Sequence, residues 1–179
     1  MAKDVLRLTP MGLIWRGRRI PCTIGRAGLS RTKHEGDGAT PDAPMRLLQV
    51  LYRPDRLPPP VPGAKAIGPR DLWSDASGQP DYNHMVRAPY AYSHEAMRRP
   101  DPLYDIVIVT DWNYPAARAG GGSAIFLHQW RRRGAPTAGC IAMARANLIR
   151  LAREITPGTR LIITGMRLAN GARATIFRQ

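Results

Sequence analysis

The stretch Ser123 to Met143, SAIFLHQWRRRGAPTAGCIAM, decides how the rest of the chain is read. Ala124-Ile125-Phe126-Leu127 is an apolar run of β character that ends in His128. Arg131-Arg132-Arg133-Gly134 reads as a basic turn. The chain then returns through Pro136-Thr137-Ala138-Gly139 to Cys140. From Ala144 to Ile155 the residues Ala144, Leu148, Leu151 and Ile155 recur at helical spacing, which predicts an amphipathic helix against a sheet. The expectation is a strand-end histidine and a cysteine just before a helix, brought face to face by a short loop.

That juxtaposition has a specific chemistry. A thiol attacks as thiolate, and a nearby imidazole or a helix N-terminus lowers its pKa. Gly139 lets the backbone turn tightly, so the N–H of Cys140, helped by Gly139 or Ala138, faces a developing oxyanion. Thr137 either supports the loop or the imidazole, or caps a turn. Together these parts suit acyl transfer through a thioester. The competing reading is a buried structural cysteine and a strand-end histidine that share a hairpin by chance.

The same residues resemble the L,D-transpeptidase catalytic domain, the YkuD family. Its signature is a strand ending in His, a loop, then Ser or Thr, any residue, Gly, Cys and a hydrophobic residue. Here these are Ile125-Phe126-Leu127-His128 and Thr137-Ala138-Gly139-Cys140-Ile141. A second block, Glu35-Gly36-Asp37-Gly38-Ala39-Thr40-Pro41, is similar to the family's GDGxTPxG stretch. The similarity runs from about Pro21 to Ile163. The chain departs from the pattern at Ala138, where the family often has His, and at Ala142, where it often has Arg or Asn. Asp42-Ala43-Pro44 replaces the glycine expected after Thr-Pro. These departures bear on the substrate-carboxylate contact and the acceptor preference.

The resemblance implies a mainly β fold, sandwich- or barrel-like, with one helix after the cysteine and a short second helix. It implies one catalytic domain over residues 1–179, with its core at about 19–165. It implies Cys140 as nucleophile, His128 as base, and a backbone carbonyl as third member of the triad. The implied substrate is a peptidoglycan stem tetrapeptide or muropeptide, cleaved before its terminal D-Ala. An amine acceptor makes a 3→3 cross-link, and this transpeptidase reading is taken first; water as acceptor makes an L,D-carboxypeptidase of cytoplasmic muropeptide recycling. One of Arg131, Arg132, Arg133 and Arg145 is expected to pair with a substrate carboxylate. Tyr114 is a further candidate substrate contact. No cofactor and no metal is expected, His34, His84, His94 and His128 being scattered. The protein is expected to be a monomer.

Composition leaves other classes open. The formal net charge is +14, almost all of it arginine, which favours an anionic partner or simply solvated basic faces. A non-catalytic basic module for wall polymer or nucleic acid is the reading of a different class. Nucleic acid is not expected, because no recognition motif and no interleaving of aromatic with basic residues is present. A disulfide between Cys22 and Cys140 would consume the proposed nucleophile, so both are expected reduced, Cys22 as a small core residue. MAKDVLRLTPMGLIWRGRR has no uninterrupted apolar region, so no signal peptide and no membrane span is read. The resemblance points to the cell envelope, and that N-terminus to the cytoplasm.

Strands are expected at Val5 to Leu8, Leu13 to Trp15, Arg19 to Gly25, Met45 to Tyr52, Asp105 to Thr110, Arg160 to Thr164 and Ala174 to Phe177. Arg26 to Pro44 and Arg53 to Arg70 read as loops. Asp71 to Tyr92 reads as a long irregular segment that either covers a site or meanders on the surface, pinned by its aromatics. Ser93 is a candidate cap for a short helix, His94 to Arg99, ended by Pro100.

Overall fold

Every residue of the strand Ile106–Thr110 is buried, because it has a partner on each edge and cover on each face. In a computed structural model, which describes residues 5–164, it pairs antiparallel with Met45–Tyr52 on one edge and Phe126–Gln129 on the other. Successive strand side chains point to opposite faces. Ile106 and Ile108 therefore enter one core, and Val107 and Val109 enter a second. The helix Arg145–Glu154 closes the first core with Leu148, Leu151 and Ala152.

The main sheet runs in the order Arg18–Ile20, Gly12–Trp15, Val5–Thr9, Arg160–Ile163, Met45–Tyr52, Ile106–Thr110, Phe126–Gln129, Ile141–Met143, Cys22–Thr23. Its two outermost strands are sequence neighbours, separated only by Pro21. A sheet whose ends meet in this way is nearly closed, so the fold is mainly β and barrel-like, as expected. A single strand over Arg19 to Gly25 does not form. Pro21 lacks an N–H to donate and breaks it, and its halves go to opposite ends of the sheet.

Three further expectations are corrected. The hairpin of the competing reading does not form, because the strands carrying the histidine and following the cysteine are parallel: Leu127 pairs with Ile141 and His128 with Ala142. A strand, Ile141–Met143, stands between Cys140 and the helix, so the cysteine is not at a helix N-terminus. The short second helix at His94 to Arg99 is instead the strand His94–Ala96, joined to Asp71–Ser74, which also pairs Met85–Arg87. The short second helix that does form is a single 3₁₀ turn, Pro102–Tyr104. The segment read as irregular thus builds a small sheet, whose Trp73 enters the second core. The strands at Val5–Thr9, Gly12–Trp15, Met45–Tyr52 and Arg160–Ile163 fall where expected. The strand at Ala174 to Phe177 lies outside the described residues. Among the described residues no helix is long and apolar enough to cross a membrane.

Candidate active site

Strand parity places the site. Ile141, Met143 and Leu127 point into the helix-side core, so Phe126, His128 and Ala142 point to the other face. Cys140 continues that alternation and joins the second core beside Phe126. The register sets Cys140 one pleat behind His128 on the neighbouring strand, a Cα separation of roughly 8 Å from ideal strand geometry.

His128 is buried, and its Nδ1 lies 2.7 Å from the Gln129 carbonyl oxygen. A carbonyl only accepts, so Nδ1 carries the proton and Nε2 holds the free lone pair. Burial lowers the imidazole pKa to about 4, and the nearby Arg99 pushes the same way. The edge of Tyr104 meets the imidazole with ring centroids 5.3 Å apart. Gln129 is thus the residue whose backbone carbonyl orients the imidazole.

Cys140 is buried too. Its Sγ donates to the Ala124 carbonyl at 3.0 Å and accepts from the Phe126 N–H at 3.4 Å. Burial, and next the Glu95 carboxylate, raise the thiol pKa to about 12. The expected lowering by a helix N-terminus is absent, because the helix starts beyond the intervening strand. At neutral pH the pair is therefore thiol and imidazole, both uncharged. Ala124 holds its carbonyl toward the thiol from a left-handed backbone, φ 50°, a conformation that costs a non-glycine residue about 1 kcal/mol or more. Asn83 sustains it: its Oδ1 accepts from the Ala124 N–H and from Trp73 Nε1, each at 2.9 Å.

Beside His128 opens a cavity of about 340 Å³. Ala142, Tyr104, Trp130, Thr137 and Ala138 line it, together with the charged side chains Glu95, Arg26, Arg99 and Arg131. Tyr104 donates to Glu95 at 2.5 Å. Burial raises the Glu95 carboxyl above the usual range. Arg99 pairs with Asp101 at 2.7 Å and lies over the Tyr104 ring.

The other residues expected at the site divide. Arg131 and the loop residues Thr137 and Ala138 line the cavity; Arg132 and Arg133 stand exposed in the turn beyond it. Arg145 is paired to the buried Asp105, which also takes Arg56 at 2.7 Å. Tyr114 packs on Trp73 and His84 behind the second core. Glu95, Arg99, Tyr104 and Asn83 carry no sequence signal; the small sheet and the 3₁₀ turn bring them in from a distance. Among the described residues no group of three or more His, Cys, Asp or Glu side chains is placed to hold a metal ion.

A nearly closed β-sheet with a cysteine and a backbone-tethered histidine on one face, opening on a charged cavity, defines the class: a barrel-like domain with a Cys–His site. A family model, the L,D-transpeptidase catalytic domain (YkuD), matches residues 7–163, and the chain belongs to that family. Among solved structures, an L,D-transpeptidase from Mycobacterium smegmatis is similar at 12% identity and a TM-score of 0.43. The match covers 91% of this chain and 59% of that one, so the chain spans about three fifths of its relative's length. No curated protein matches the chain.

Proposed function

We propose that the protein is a cysteine acyltransferase acting on peptidoglycan stem tetrapeptides, an L,D-transpeptidase. The observation that carries this reading is the shared face: Cys140 sits one pleat from His128, whose Nδ1 is locked on Gln129 so that Nε2 is left as base. On substrate binding the Sγ–H leaves the Ala124 carbonyl and passes its proton to Nε2. The thiolate attacks the carbonyl carbon of the stem's third residue. The Cys140 N–H takes the oxyanion. The imidazolium returns the proton to the amine of the leaving D-Ala, and the thioester stays on Cys140. An amine of a second stem, deprotonated by Nε2, then resolves the thioester into a 3→3 cross-link. With thiol and imidazole both uncharged at rest, the thiolate forms on substrate binding rather than standing as an ion pair.

Arg131, with Arg26 beside it, is the cavity's candidate for the substrate carboxylate that Ala142 leaves unbound. The cavity also favours a second reading. At about 340 Å³ it is near the lower end of the ~300–1,000 Å³ of ligand pockets, which suits one stem and a water better than two stems. Mass spectrometry of the products from a purified disaccharide-tetrapeptide separates the readings. A cross-linked dimer, lost in Cys140→Ala, supports the transpeptidase. Disaccharide-tripeptide alone, equally lost, supports the carboxypeptidase. Unchanged substrate with the native protein overturns both.

A further inference from the structure

The Glu35–Pro41 block reaches the cysteine from behind. Thr40 is wholly buried. Its Oγ1 accepts from the Gly25 N–H at 2.9 Å and lies 2.6 Å from the Gly139 carbonyl oxygen. An N–H can only donate and a carbonyl only accept, so the hydroxyl proton has one place to point, at Gly139. In a trans peptide the C=O and the following N–H are antiparallel. Whatever holds the Gly139 carbonyl therefore aims the Cys140 N–H to the opposite side.

The second threonine completes the clamp. Thr137 Oγ1 donates to the Cys140 carbonyl at 2.6 Å and accepts from the Gly139 N–H at 3.1 Å. Two hydroxyls thus hold three of the four backbone groups of Gly139 and Cys140, and the fourth is the Cys140 N–H. The clamp is rigid because the chains touch. A Cβ on Gly25 would lie 2.4 Å from the Gly38 carbonyl oxygen, and one on Gly139 would lie 3.0 Å from that of Ala39. Thr40 is itself pinned by its own N–H on the Gly28 carbonyl at 2.8 Å. The turn before it is tied by Asp37, which takes the Lys33 ammonium at 2.6 Å and the Ala39 N–H at 2.9 Å.

We propose that Thr40 is a positioning residue for acyl transfer: its hydroxyl fixes the Gly139–Cys140 peptide so that the Cys140 N–H is held where the oxyanion forms. This rests on the reading of Cys140 as nucleophile. It gives the Gly-Asp-Gly…Thr-Pro block a mechanistic task at Gly139, 99 residues on from Thr40 in sequence.

The test compares two reactions of the same thiol. Acylation of Cys140 by p-nitrophenyl acetate passes through an oxyanion; alkylation by iodoacetamide does not. Both are followed by intact mass and peptide mapping. Thr40→Val should slow acylation by roughly 10- to 100-fold, less than the ~10²–10³-fold for losing an oxyanion donor outright because the N–H is misaimed and not removed, and leave alkylation within about 2-fold. Thr40→Ser, which keeps the hydroxyl, should restore acylation. If Thr40→Val does not fold, Thr40→Ala takes its place. Equal losses in both reactions, no loss in either, or failure of Thr40→Ser to rescue would overturn the proposal. The ester probe needs no peptidoglycan. Native protein that is acylated by the ester but leaves disaccharide-tetrapeptide unchanged therefore refutes the substrate reading while Thr40 is still decided.

Discussion

Cys22 and Cys140 sit on opposite faces of the same sheet, both buried, both with thiols pushed up to about 12 chiefly by burial. Cys22 lies in the helix-side core among Leu6, Leu13 and Ile20. Cys140 lies among a left-handed alanine carbonyl, a backbone N–H and an imidazole one pleat away. Burial and acidity do not distinguish them; neighbours do. The helix-side core is built from apolar side chains, whereas the other face admits His128, Glu95 and Asn83 and opens on a cavity. One set of strands, alternate residues, yields a scaffold on one side and the candidate site on the other.

The sharpest way to break this contrast is to exchange the roles of the two thiols. Cys140→Ala should abolish product formation from the disaccharide-tetrapeptide. Cys22→Ala should keep turnover within about 2-fold and cost about 1 kcal/mol in urea unfolding, the price of a small core cavity. Equal loss of turnover in both variants would remove the distinction. His128→Gln, which keeps a polar side chain but no base, should lower kcat by roughly 10²–10⁴-fold with KM little changed.

The same asymmetry sets a pH dependence. The His128 pKa is about 4 when folded, against 6.5 for the free side chain. The unfolded chain therefore binds more protons between those values. The stabilisation is fully present above about pH 6.5 and is lost as pH falls toward 4, about 3 kcal/mol in all. His128→Gln should flatten that slope in urea titrations at pH 4 to 7. An unchanged slope would place the titrating group elsewhere.

Two smaller effects sharpen the picture of the site face. Asn83→Ala leaves the buried Trp73 Nε1 and Ala124 N–H without their acceptor and should cost about 2 kcal/mol, with a drop in turnover as Ala124 relaxes. Arg131→Ala removes an exposed side chain and should leave stability unchanged while raising KM several-fold. A KM within error of the native value would take Arg131 out of substrate binding.

Local pattern made much of this legible. The β-branched run at Ile106–Thr110, the helical spacing after Ala144 and the His128 and Gly139-Cys140 signals each lie within a dozen residues. What escaped was set by partners far along the chain. His94–Ala96 has a cap before it and a proline after it, yet pairing with Asp71–Ser74 overrides that helical signal. Pro21 reads as a pause within a strand until the two ends of the sheet meet at it. The parallel pairing of Leu127 with Ile141 inserts a strand where a helix N-terminus was expected, and so removes the expected acidification of Cys140. Glu95, Tyr104 and Asn83 reach the site only through tertiary packing.

The most direct test of the Cys140–His128 account is to quench the protein with acid during turnover of disaccharide-tetrapeptide and map the covalent adduct. The account predicts a disaccharide-tripeptide acyl group on the peptide containing Cys140, none on that containing Cys22, and no adduct in His128→Gln. Product formation that persists in Cys140→Ala, or an adduct on any other side chain, would contradict it.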